Sequence, residues 1–133
     1  MNAFEKLLAE FENELTIVFD KNLPNKLPGL ICDRTIYLNS SLPFDEAICV
    51  LSEEIGHYKT STPKDITDYN QNAKEERRAR NWGYKKLVPL DKLKQFIIQK
   101  ECVMPYELAE EFGITEEFCE EAVRMYRVKG ELD

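Results

Sequence analysis

Residues 51 to 60 read LSEEIGHYKT, and the side chains of this stretch sort onto two faces. At 100° per residue, Phe44, Ala47, Ile48, Leu51, Ile55 and Tyr58 share one stripe, which predicts an amphipathic helix with its apolar side on a core. Glu53 and His57 are four apart, neighbours on adjacent turns, on the side opposite that stripe. Glu54 falls between the two faces. Pro43 and the acids that follow it place the start of the helix in SLPFDEAICV. Gly56 stands in mid-helix, where glycine costs about 1 kcal/mol relative to alanine. Such a residue is expected where something approaches the backbone closely, either a substrate chain or a packed neighbouring helix.

Upstream, Phe4, Leu7, Leu8, Phe11 and Leu15 recur at helical spacing and predict a first helix over residues 3–15. Thr16 to Phe19 is β-branched and aromatic and reads as a short strand. After the Pro- and Gly-punctuated loop LPNKLPG, the runs GLIC and TIYLN flank Asp33-Arg34 as a hairpin. Downstream, TSTPKDITD reads as a loop and YNQNAKEERRARNWGYKKLVP as a long charged helix closed by Pro89. Leu90 to Lys100 forms a further helix, and the tail reads as two helices joined at Gly113. These elements predict one α+β domain over residues 1–133: helix, small sheet, then helices.

The whole chain narrows the function classes. With 133 residues and 43% hydrophobic content, it can bury a single core. No apolar run reaches the ~18 residues of a membrane span, and the acidic amphipathic start lacks the features of a secretory signal. The expected location is cytoplasmic. The net charge is −7, from 25 acidic and 18 basic residues; this disfavours nucleic acid as a partner, because binding to phosphates is carried by cations. In the densest basic run, KEERRAR, basic residues are interspersed with glutamates, as on a solvated helix face. Cys32, Cys49, Cys102 and Cys119 form no C-x-x-C pair and are expected to be small buried hydrophobes.

The chemistry concentrates at Glu53-Glu54-Ile55-Gly56-His57. Metal-dependent hydrolysis often uses H-E-x-x-H, two ligands one turn apart with a glutamate between them as general base. Here a carboxylate occupies the first ligand position. Carboxylates also bind zinc, so Glu53 and His57 are a candidate ligand pair; the alternatives are a lost site and a weak, solvated Glu-His contact on an acidic surface helix. An open catalytic site needs a third ligand. The next helix offers Glu75 and Glu76. Glu76 shares a stripe with Ala79, Gly83 and Leu87 and is expected to point inward, with Glu75 on the side of Trp82 and Lys86. The alternative for Glu76 is a salt bridge to a neighbouring arginine.

EEIGHYKT followed by KEERRARNWGYKKLVP resembles the ImmA/IrrE family of zinc metallopeptidases, in particular its small members from prophages and mobile elements. The likeness covers residues 1–90 as a metallopeptidase-like core, and the tail, 91–133, is similar to the helical extension of the phage members. It implies a compact zincin-like fold. His57 and Glu76 become metal ligands and Glu54 the catalytic general base, with Glu53 in the slot of the family's first histidine. It implies zinc as cofactor; two anionic oxygen ligands also open the site to manganese or another divalent metal. They should make a bound water less acidic than one anionic ligand would. Tyr58, Tyr69 and Tyr84 are candidate donors to a transition state, and the sequence does not choose among them.

In the tail, YELAEEFGITEEFCEEAVRMY has the outline of a helix-turn-helix, but its second helix carries four glutamates in TEEFCEEAV, the wrong charge for a phosphate backbone. It is read as a packing or protein-contact module. Two functions follow: an endopeptidase that cuts a regulatory protein such as a phage or mobile-element repressor, or a catalytically inactive relative that works as a protein-binding module.

Overall fold

Hydrophobic spacing translates closely into elements in the computed structural model, which describes residues 2–24, 27–60, 69–100 and 102–133. The order is α1 (Ala3–Phe11), β1 (Thr16–Asp20), β2 (Gly29–Cys32), β3 (Thr35–Asn39), α2 (Phe44–Thr60), α3 (Tyr69–Leu87), α4 (Leu90–Ile98), α5 (Pro105–Phe112) and α6 (Glu116–Val128). The α+β class read from the sequence holds. The loop expected at TSTPKDITD lies, apart from Thr60, outside the described residues.

The predicted hairpin forms: β2 and β3 pair antiparallel, Cys32 opposite Thr35. Asp33 takes the turn at φ 58, a left-handed conformation that Asp tolerates better than most residues. β1 then adds to the other side of β3 in parallel, giving the order β1-β3-β2. Asn39 locks the strand's end. Its side-chain amide donates to the Pro24 and Leu27 carbonyls, and its Oδ1 accepts from the backbone N–H and the hydroxyl of Ser41.

The core lies between this sheet and α2. Ile36 and Leu38 of β3 and Ala47, Ile48, Leu51 and Ile55 of α2 are all essentially inaccessible, which places LSEEIGHYKT with its apolar stripe inward as read. Phe44 departs from that reading. At the first residue of α2 it is 72% exposed, its ring meeting Phe4 edge-on at 5.9 Å. α1 stops at Phe11, earlier than expected, and Leu15 is buried beyond its end. The cysteine expectation is half corrected. Cys119 is buried and Cys49 half-buried, but Cys32 and Cys102 are exposed.

α3 crosses α2 at very short range. A Cβ built on Gly56 would stand 2.3 Å from the Ala79 carbonyl oxygen, and one on Gly83 would stand 2.7 Å from Ser52 Oγ. Of the two roles open to Gly56, helix packing is the one realised. Small residues at these crossing points let the two backbones close, and the side chains one row further round are brought together with them.

The tail packs on the same helices. Gly113 ends α5 at φ 69, and Thr115 caps α6 by accepting from the Phe118 N–H. Cys119, Ala122, Met125 and Tyr126 bury the inner face of α6. The Tyr126 hydroxyl donates to the Val88 carbonyl at 2.7 Å, and the Tyr84 hydroxyl to Glu121 Oε2 at 2.6 Å.

Candidate metal centre

Beside the α2–α3 crossing, α2 presents Glu53 and His57 from successive turns, and α3 presents Glu76 and Arg80 from two of its own. One ligand atom each from Glu53, His57 and Glu76 lies within 4.8 Å of the others. His57 Nε2 and Glu76 Oε1 are 3.3 Å apart. Two ligands ~2.0–2.2 Å from a tetrahedral zinc stand about 3.3–3.6 Å apart. The His57–Glu76 spacing already meets that value, and the widest separation needs to close by little more than an ångström. A nitrogen and two carboxylate oxygens are donors zinc accepts, so the residues present fit a divalent cation.

Helix geometry accounts for the convergence and corrects the reading of α3. Glu75 is the inward acid, 1% exposed, and Glu76 is exposed. The reason is spacing. Glu75 is four residues before Ala79 and eight before Gly83, in line with the contact to α2, whereas Glu76 is three before Ala79 and rides at the margin. Glu76, Arg80 and Tyr84 form that marginal row. It faces Glu53 and His57 across the crossing, so Glu76 reaches the site by being at the rim.

Glu54 is half-buried. Burial pushes its carboxyl above the usual glutamate value; His57 pulls it down, and the carboxylates of Glu53 and Glu76 push it up again. Those three influences also show that its charge senses each member of the cluster. A carboxylate raised in this way holds a proton more readily than an ordinary glutamate does.

Arg80 is a member of the marginal row that spacing alone does not mark out. Its Nε donates to Glu53 Oε1 at 2.9 Å, and that hydrogen bond is the main reason its own pKa rises. The signal available was only the interleaving of Arg with Glu in KEERRAR; the partner lies 27 residues upstream. The three tyrosines also separate. Tyr84 already donates to Glu121 and stacks edge-on with Phe118 at 5.0 Å. Burial and the Glu121 bond raise its pKa well above the ordinary tyrosine value. Tyr58 is half-buried with Lys59 over its ring, and the Tyr69 side chain lies outside what the structure describes.

The α+β fold thus carries, where two of its helices cross, an acid-rich cluster whose donors could hold a divalent cation. The model of the peptidase family M78, the IrrE N-terminal-like domain, matches residues 13–124. The chain belongs to that family, a family of metallopeptidases. The match continues well beyond residue 90, into α6. No curated protein and no solved structure matches significantly. Among the described residues no helix is long and apolar enough to cross a membrane.

Proposed function

We propose that this protein is a zinc-dependent endopeptidase acting on a regulatory protein in the cytoplasm, with a phage or mobile-element repressor as the substrate class. The observation that carries the reading is the meeting of Glu53, His57 and Glu76 within 4.8 Å, with Glu54 beside them and its carboxyl raised by burial. The repressor as substrate rests on the resemblance of EEIGHYKT and KEERRARNWGYKKLVP to small prophage members of the family.

In this reading Glu53, His57 and Glu76 hold the cation, and residues 1–90 and the helical extension 91–133 work as a single domain, the extension bracing α3 through Tyr84 and Tyr126. A bound zinc ion would polarise a scissile carbonyl and acidify a water, the two tasks such an ion performs in peptidases. Glu54 takes the proton of the attacking water and returns it to the leaving amine. His57 Nε2 and Glu76 Oε1 already stand 3.3 Å apart, so the two would need little rearrangement to hold one cation between them.

The test combines metal and cleavage. Protein purified without added zinc should carry close to one equivalent, and His57→Ala should lose it. Zinc binding only to the folded state stabilises it by about 2.7 kcal/mol at one hundred times Kd, so thermal unfolding of the parent, but not of His57→Ala, should move with zinc concentration. Glu54→Gln should keep the metal and lose cleavage of a repressor substrate by about 10²–10⁴-fold, the usual weight of a general base. A Glu54→Gln variant as active as the parent would remove Glu54 from the mechanism.

One observation favours a second reading, a family member that acts by binding alone: Arg80 already occupies an oxygen of Glu53. A parent protein that neither carries nor takes up zinc would favour that alternative.

A further inference from the structure

Replacing a neutral histidine by Glu53 adds one negative charge to the ligand cluster. Among the described residues, one positive charge is paired with it. Arg80 Nε lies 2.9 Å from Glu53 Oε1, on the row of α3 that also carries Glu76. The ion-paired lysines of α2 and α3 among the described residues point elsewhere: Lys59 pairs with Glu14 at 3.3 Å and Lys86 with Glu10 at 2.6 Å, both toward the N-terminal segment. Arg80 is thus directed at the substituted ligand. It engages a single carboxylate oxygen, and a carboxylate has a second with which to meet a cation.

We propose that Arg80 tunes the cation site: its guanidinium pairs with the Glu53 carboxylate and offsets the extra negative charge that Glu53 brings. This rests on the metal-dependent reading above. With neutral His57, the two carboxylates and Arg80 sum to a single negative charge, the same as two histidines and one carboxylate. The Glu53–Arg80 pair is therefore a charge-neutral exchange for one histidine, spread over two helices. The consequence is a site whose affinity for divalent cations is held down by a fixed neighbouring cation, most strongly at low ionic strength.

The experiment measures zinc Kd by competition with a chromophoric chelator, on metal-free full-length protein at low and at high salt, for the parent, Arg80→Met, Arg80→Lys, Glu53→His and the double variant Glu53→His/Arg80→Met. Circular dichroism checks that each is folded. Arg80→Met should bind zinc about tenfold more tightly than the parent at low salt, the order expected for removing one positive charge a few ångströms from a divalent ion in a water-like medium. The gain should shrink at high salt. Arg80→Lys, which keeps the charge, should stay within about twofold of the parent, a rescue that a purely structural role would not give. In the Glu53→His background the Arg80→Met effect should fall below about twofold, because the arginine has lost its acceptor. Zinc binding by Arg80→Met where the parent binds none would support the same role in its strongest form. Unchanged or weaker binding by folded Arg80→Met, with the parent still binding, overturns the role of Arg80 and leaves the peptidase reading standing. Absence of binding in both overturns the two together.

Discussion

Along one line of the α2–α3 crossing, Ser52 and Gly56 face Gly83 and Ala79 with no space for an added atom. One row further round the same two helices, Glu53 and His57 face Arg80 and Glu76 at ion-pair distances in reach of solvent. The first line is governed by repulsion between filled shells, which rises within tenths of an ångström. The second is governed by charges that water screens, and it tolerates ångströms of rearrangement. The packed line sets how near the helices lie; the open row uses that nearness. A site of this kind should break in two different ways.

The largest effect on stability belongs to Gly56. Gly56→Ala puts a methyl 2.3 Å from the Ala79 carbonyl oxygen and 2.9 Å from its carbon, both backbone atoms that cannot rotate away. It should cost about 3 kcal/mol in urea unfolding, at the upper end of overpacking, despite alanine's better helix propensity. It should also weaken zinc binding by forcing the ligand rows apart. Parent-like stability would show that the crossing is looser than this geometry.

Gly83→Ala is a milder version of the same break. Its methyl meets Ser52 Oγ at 2.7 Å, a hydroxyl that can turn aside at the expense of its 2.8 Å bond to the Cys49 carbonyl. About 1–2 kcal/mol should be lost. Adding Ser52→Ala should recover part of it, since the nearest atoms facing the methyl are then the Ser52 Cβ at 3.4 Å and its backbone carbon at 3.5 Å. A double-mutant cycle without coupling would separate the two residues.

Breaking the open row should hardly register in stability. Arg80 and Glu53 are 58% and 31% exposed in their side chains, so Glu53→Gln in the metal-free protein should shift unfolding by no more than about 1 kcal/mol, as exposed ion pairs do. The same change should register strongly in zinc affinity. A large loss of stability would mean that the row, too, is structural.

The smallest effect concerns pH. Glu54 has a folded-state pKa raised above its ordinary value of 4.5, so between those two values the folded protein binds more protons than the unfolded one. The parent should therefore lose stability as pH rises through that window, and Glu54→Gln, which removes the cost of burying the charge, should be the more stable of the two at neutral pH. Below the ordinary value the two should converge. Urea midpoints of the metal-free proteins across that range would check the sign.

Most of the element order was legible because each element is an independent periodic pattern: the α2 stripe, the hairpin at Asp33-Arg34, the capped tail helices. Glu53 and His57 were legible as a pair for the same reason, since four residues on a helix fix their adjacency. Glu76 reaches the cluster by a route opposite to the one its spacing predicts. Helical spacing predicts it as the inward acid, whereas Glu75 holds that place and Glu76 joins the cluster from the rim. A helical wheel places residues to within one position, and one position is 100°. Phe44 failed similarly, because a stripe says which way a side chain points and not whether anything covers it.

Local spacing thus settles what a single helix can settle: which residues share a face, where a helix stops, and that a glutamate and a histidine stand one turn apart. How the helices meet is another matter. The depth of the Gly56–Ala79 contact, the choice of Glu76 over its neighbour, the parallel placement of β1 and the pairing of Arg80 with Glu53 each depend on the distance between segments remote in sequence. Those distances come from packing the whole core at once, and no period in the chain encodes them.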